Sequence, residues 1–351
     1  MVEIATIKES FLSILQVYPQ WNSLSSLFQI SIPQAGVLMN NELSRRSVVQ
    51  LLLLGAAATV VKQAGAHGHS QIDTTAAASP ALPPNRISLA QWSLHRMIQR
   101  GELDPLNFPP FAHQSCGVMG VEYVSTFYKN LPLDGKWVED LKKRATDAGV
   151  VSLLIMCDGE GDIGDPDVAA RRKAVEAHRR WLDAASALGC HSIRVNARSV
   201  GTPSEQVPLC ADGLNQLCAI AAPMKLNVIV ENHGGLSCDG QWVVSVIRGS
   251  AATNSGTLPD FGNFKCADGT IADRYAGVKA MIPFARAVSA KSFEFDAAGE
   301  ETTIDYARMM SIVRDARYRG WVGVEFEGDK MGEVAGSIAT RELLLKNGCV
   351  L

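Results

Sequence analysis

The chain has 351 residues, 33 basic against 36 acidic side chains for a formal charge of −3, and 47% hydrophobic content. That much apolar material fills one large core or two modest ones, and the near-neutral balance supplies no basic field for a nucleic-acid backbone. The 8 cysteines, at 116, 157, 190, 210, 218, 238, 266 and 349, form no CxxC pair, which excludes a zinc ribbon or a thioredoxin-type redox motif.

Residues 1–38 carry only a weak amphipathic pattern and read as an unstructured or non-native extension. Residues 39–66 then combine Arg45-Arg46, an apolar run at 48–61 and the small-residue site Ala64-Gly65-Ala66. Those three parts in that order predict a twin-arginine export signal. The plainer alternative is a core helix that happens to begin with two arginines. The run is shorter than the roughly 20 residues that span a bilayer, so no stable transmembrane span is expected after cleavage. Export makes the Tat translocase a transient partner, the periplasm or envelope the destination, and Met39 a candidate start. Residues 67–85, rich in Ala, Ser, Thr and Pro, read as a flexible tether, in which His67 and His69 are more simply solvated than metal-bound.

From residue 86 onward, β-rich runs alternate with helical periodicity. The runs fall at 87–94, 118–124, 150–156, 192–196, 227–231, 256–260, 288–295 and 321–326. Between them, apolar residues recur at helical spacing near 137–141, 174–188, 214–222, 306–316 and 334–345, with Gly149, Gly189 and Gly320 placed as helix stops. Eight βα units predict a single-domain (β/α)8 TIM barrel over 86–351. A doubly wound open sheet would want a Gly-rich phosphate turn after its first strand, and Leu94-His95-Arg96 supplies none.

The active site of such a barrel lies at the C-terminal ends of its strands. The polar residues there are Trp92 and His95, Glu122, Asp158 and Glu160, Arg194 and Asn196, Glu231-Asn232-His233, Asp260 and Asn263, Lys291 and Asp296, then Glu325 and Glu327. Carboxylates inside apolar strands, as in Val-Ile-Val-Glu231 and Gly-Val-Glu325-Phe, are costly to bury unless a cation or hydrogen bonds compensate. One of them alone is as well read as structural. Glu231, Asp260 and Glu325 together predict a metal centre, with Asp296 or His233 as a fourth ligand.

Glu231-Asn232-His233, Asp260-x-x-Asn263 and Gly323-Val324-Glu325 resemble the xylose isomerase-like TIM barrels, a superfamily of sugar epimerases of the D-tagatose 3-epimerase type, inosose dehydratases and, more distantly, endonuclease IV. The resemblance covers 86 to about 347. It implies that one divalent ion is held by two glutamates, here Glu231 and Glu325, by an aspartate, here Asp260, and by a histidine whose slot holds Ser289. A second family histidine is replaced by Asn263. A carboxylate-rich set favours Mg²⁺ or Mn²⁺, with Co²⁺ or Zn²⁺ as alternatives.

A divalent ion on adjacent sugar oxygens acidifies the C–H between them, and a glutamate on either face can remove and return the proton through an enediolate. That predicts a carbohydrate isomerase or epimerase with Glu231 and Glu325 as acid/base groups. Lys291 would stabilise the oxyanion, or else pair with Asp296 or Glu294. Arg194, Asn196, His233, Asn263 and His95 are candidate substrate contacts, and Trp92 and Phe264 candidate stacking faces. An enolate-type glycoside lyase or hydrolase acting on an oxidised sugar, and a non-catalytic sugar-binding barrel, stay open as rivals. A histidine-rich three-metal nuclease fits least. Cys238 and Cys266, both in βα loops, can pair in an oxidising compartment.

Overall fold

The computed structural model describes residues 84–132 and 135–351. The extension, the export signal and nearly all of the tether therefore lie outside the described residues.

Eight parallel strands form the sheet: β1 (Arg86–Ala90), β2 (Gly120–Val124), β3 (Val151–Met156), β4 (Ser192–Val195), β5 (Asn227–Glu231), β6 (Ser255–Leu258), β7 (Val288–Ser292) and β8 (Trp321–Phe326). Their order is β6-β5-β4-β3-β2-β1-β8-β7. Bridges Thr257↔Ala285 and Asp260↔Ser289 join β6 to β7 and close the barrel. Pro259, which has no N–H to donate, follows β6 directly; its carbonyl accepts from Ser289 N at 2.9 Å, and Phe261 N donates to Ser289 O at 3.1 Å. The expected TIM barrel is the observed fold.

The helices are α1 (His95–Gln99), α2 (Phe108–Cys116), α3 (Lys136–Asp147), α4 (Val168–Ala177), α5 (Arg179–Leu188), α6 (Pro203–Ala221), α7 (Gly240–Gly249), α8 (Arg274–Met281), α9 (Tyr306–Asp315) and α10 (Glu333–Lys346). The 174–188 periodicity resolves into α4 and α5, which meet at His178. The helix expected at 214–222 begins a dozen residues earlier, because Thr202 and Glu205 form a complete capping box ahead of Pro203. Strand one stops at Ala90 rather than 94. There Gln91 turns inward, accepting from Val124 N at 3.0 Å and donating to Tyr128 OH at 2.8 Å. Gly149 and Gly189 hold the left-handed conformations that end α3 and α5, but Gly320 does not; Arg317, with φ of 55°, takes that role after α9.

Strand alternation sorts the core into two layers. Outward residues such as Ile155, Val228 and Val230 pack beneath the helices. Inward ones such as Val124, Leu154, Met156, Ile229 and Leu258 fill the barrel. The same alternation turns Arg194, Glu231, Asp260, Ser289, Lys291 and Glu325 to the inside, above that apolar plug.

Candidate active site

Carboxylate oxygens of Glu231, Asp260 and Glu325 lie within 4.8 Å of one another, and all three residues are buried. They come from the ends of β5 and β8 and the segment just after β6. Asn232 fixes the middle one: its Oδ1 accepts from Asp260 N at 2.7 Å and its Nδ2 donates to Asp260 O at 3.0 Å. Gly262 N and Asn263 N donate to Asp260 Oδ1, and Asn263 Nδ2 donates to Glu231 Oε1 at 3.1 Å.

Two cations enter the cluster. Lys291 Nζ donates to Glu327 Oε1 at 3.0 Å and to Glu325 Oε1 at 3.3 Å, and lies 3.7 Å from Asp260 Oδ2. Its partners are thus neither Asp296 nor Glu294. Arg194 donates to Asp158 Oδ1 at 2.8 Å, and Asn196 Nδ2 donates to the same oxygen at 2.7 Å. Arg194 Nε is 2.7 Å from Glu231 Oε2, but the pair is too poorly aligned for a hydrogen bond, so both buried atoms lack a partner.

Burial pushes the Glu231 carboxyl well above the usual carboxylate range despite Arg194, and pushes Asp260 up to about 6 despite Lys291. Glu325 is buried too, yet Lys291, Ser289, Arg194 and His233 outweigh that and hold it below its ordinary value. Burial and the nearby Arg194 hold His233 down to about 4, so its ring is neutral at pH 7, with Nδ1 buried and unpartnered.

Ser289 is more than an absent histidine. Its Oγ lies 2.6 Å from both Asp260 Oδ2 and Glu325 Oε2. A hydroxyl has one hydrogen and donates to one oxygen only, so the second contact needs a proton on a carboxyl or a cation close by. Five carboxylates (Asp158, Glu231, Asp260, Glu325, Glu327) face two fixed cations here. With Glu231 Oε2 accepting no hydrogen bond, that deficit of positive charge fits a hard divalent cation held by Glu231, Asp260 and Glu325.

A hollow of about 420 Å³ opens above the cluster, lined by Trp92, Asp158, Arg194, Asn196, His233, Asn263, Lys291, Glu325 and Glu327, with Arg198 at its rim. Three sequence candidates fall elsewhere. Asp296 sits in an exposed turn and accepts from Ala298 N and Glu300 N, so it is not in the acidic cluster. His95 stacks on Trp92 at 4.7 Å, outside the lining, with Nδ1 held by Trp92 O at 2.7 Å. Phe264 is wholly buried against Gly277, where an added Cβ would meet its ring at 2.3 Å, so it offers no stacking face. Sequence reasoning missed Arg198, for which a loop arginine gave no signal, and the bridging role of Ser289.

The match to the family model described as xylose isomerase-like TIM barrel spans residues 112–347. The chain belongs to that family. Among solved structures, this family member is similar to a D-tagatose 3-epimerase-like protein at 14% identity and TM-score 0.56, with 75% of this chain and 96% of that one covered. An IOLI protein with a bound zinc atom matches at 13% identity and TM-score 0.59, covering 75% and 97%. A 3-keto-D-glucoside 4-epimerase from E. coli matches at 15% identity and TM-score 0.54, covering 69% and 94%. At these identities the likeness is one of fold. No curated protein sequence matches the chain.

Proposed function

We propose that the protein is a divalent-metal-dependent sugar isomerase or epimerase that moves a proton next to a carbonyl through an enediolate. The observation that carries this is the convergence of Glu231, Asp260 and Glu325 on one point at the barrel mouth of a xylose isomerase-like chain. Sugar epimerases with the same fold, named above, support it. A divalent ion bound there would polarise the sugar carbonyl and acidify the neighbouring C–H.

The chain's own residues divide the remaining work. Glu231 and Glu325 come from strands five and eight, on different sides of the mouth. That placement suits one carboxylate on each face of a bound sugar carbon, one to remove a proton and one to return it. Lys291 holds positive charge beside Glu325 and stabilises an oxygen on which negative charge develops. Neutral His233, with Asn196 and Asn263, presents hydrogen-bonding groups to hydroxyls, and Trp92 offers an apolar face.

The test is a panel of free ketoses and aldoses incubated in D₂O with protein loaded with Mg²⁺ or Mn²⁺. Solvent deuterium should enter the carbon beside the carbonyl without cleavage of the sugar. Glu231→Gln and Glu325→Gln should each lower kcat by about 10²- to 10⁴-fold with much smaller changes in KM. Metal analysis should show one ion per chain, lost in Asp260→Ala. Release of an aglycone from a glycoside would replace this reading with the lyase, and absence of exchange with retained sugar binding would replace it with a binding barrel.

We also infer export by the Tat route to the periplasm or envelope. The ordered twin-arginine pattern at 39–66 supports it, and so does a disulfide between Cys238 and Cys266 while the other six cysteines are buried and unpaired.

A further inference from the structure

A second hollow of about 290 Å³ adjoins the one over the carboxylates, and Gly159, Asn196 and Arg198 line both. Glu160, Asp162 and His178 also line the second hollow, and the proton-transfer reading uses none of them.

Nδ1 of His178 lies 2.7 Å from the Ala174 carbonyl. A carbonyl only accepts, so Nδ1 carries the hydrogen and Nε2 is left with a free lone pair. Burial holds this imidazole below its ordinary value, which keeps it neutral. The ring is 97% removed from solvent (3% exposed), and no described residue bonds Nε2. Among the described residues the Asp162 carboxylate has no ion-pair or hydrogen-bond partner, and Glu160 has only a loose contact with Lys129 at 3.7 Å. The hollow therefore offers acceptors from Glu160, Asp162 and His178 and donors from the Arg198 guanidinium and the Asn196 amide. Two carboxylates repel a phosphate or a uronate at this position, whereas the hydroxyls of a neutral sugar ring donate to the acceptors and accept from Arg198.

We propose that this hollow is a second sugar-ring subsite, so that the substrate is a reducing disaccharide. Its carbonyl-bearing ring lies over Glu231, Asp260 and Glu325, and its other ring lies beside His178 and Asp162. The proposal rests on the isomerase reading only for what happens in the first hollow. The two shared polar residues, Asn196 and Arg198, then flank the glycosidic link.

Lactulose and maltulose, each a ketose carrying a second ring, are compared with fructose and tagatose by deuterium exchange and by calorimetry on the full chain. The disaccharides should show kcat/KM about 10- to 100-fold above the monosaccharides, the size expected from one or two added hydrogen bonds. Asp162→Ala and His178→Phe should raise KM for the disaccharides about 10-fold while leaving fructose kinetics unchanged. If His178→Phe does not fold, Asp162→Ala, in a partly exposed loop, decides alone. Equal rates on both sugar classes, or equal losses on both in Asp162→Ala, would overturn the subsite. If no ketose exchanges but Asp162→Ala still weakens disaccharide binding alone, the subsite stands and the isomerase reading falls.

Discussion

Glu122 lies in the barrel one layer below the acidic triad, wholly buried on β2, and Ser88 donates to its Oε1 at 2.6 Å while Oε2 has no partner. Gly323 leaves it room, since a Cβ there would lie 2.4 Å from that carboxyl. Burial, only partly offset by Ser88, pushes its pKa up to about 7 from the ordinary 4.5. Below pH 4.5 both folded and unfolded chains hold the proton and nothing is lost. Between 4.5 and 7 the unfolded chain releases the proton while the folded chain keeps it, so stability falls as pH rises. Above 7 both states are ionised and the cost is constant. Glu122→Gln removes that cost and keeps the Ser88 contact, so the variant should be more stable than the parent by about 1–3 kcal/mol at pH 8. The gain should shrink toward zero below pH 5. Denaturant melts at both values measure it, and a pH-independent difference would show that the parent carboxyl is not held protonated. Residues of this kind explain what was and was not legible. A glutamate in an apolar strand announces a buried carboxyl. Whether it ends at the site, as Glu325 does, or a layer beneath, as Glu122 does, depends on its position along the strand and on a neighbouring glycine.

The elements show the same division between local and distant causes. β-rich runs and helical spacing are local, and all eight strands were legible from them. The start of α6 and the 3-10 turn after β1 were missed, although Thr202-x-x-Glu205 was a readable signal for the first. The second needed knowledge that Gln91 meets Tyr128, 37 residues away. Pairing of Cys238 with Cys266 was open in sequence because spacing alone does not choose partners. The bond ties the short helix after β5 (Gly235–Cys238) to the loop after β6, across a sequence separation of 28. It thereby braces the two segments that present His233 and Asn263. A closed loop of that length is worth about 3–4 kcal/mol, or roughly 10 °C in Tm. Thermal melts with and without reductant should show that shift in the parent and none in Cys238→Ser/Cys266→Ser. Equal melting temperatures under both conditions would mean that Asn232, which already bonds across the same two segments, suffices alone.

For the whole molecule, the triad was readable because three carboxylates sit at three strand ends in one fold, whereas the choice of Asp296 as fourth ligand failed. That residue lies four positions past the end of β7, far enough for its turn to carry it to the surface. Lys291, on the inward face two residues beyond Ser289, fills the space beside the carboxylates instead. The thiol chemistry of the chain is consistent with the export inferred from residues 39–66. Burial pushes the thiols of Cys116, Cys210, Cys218 and Cys349 up to about 11 or 12, which leaves them protonated and unreactive. An oxidising compartment can therefore form the Cys238–Cys266 bond without scrambling it. Protein recovered from the envelope of a host with a working Tat system should start near His67 and carry one disulfide, read by intact mass before and after alkylation. With Arg45 and Arg46 both changed to lysine, the precursor should stay in the cytosol at full length, with Cys238 and Cys266 free to alkylate and a melting temperature lower by the amount that reductant removes from the exported form. Cytosolic protein that keeps its N-terminus in the unaltered sequence would sink the export reading, while the barrel and its site would be unaffected.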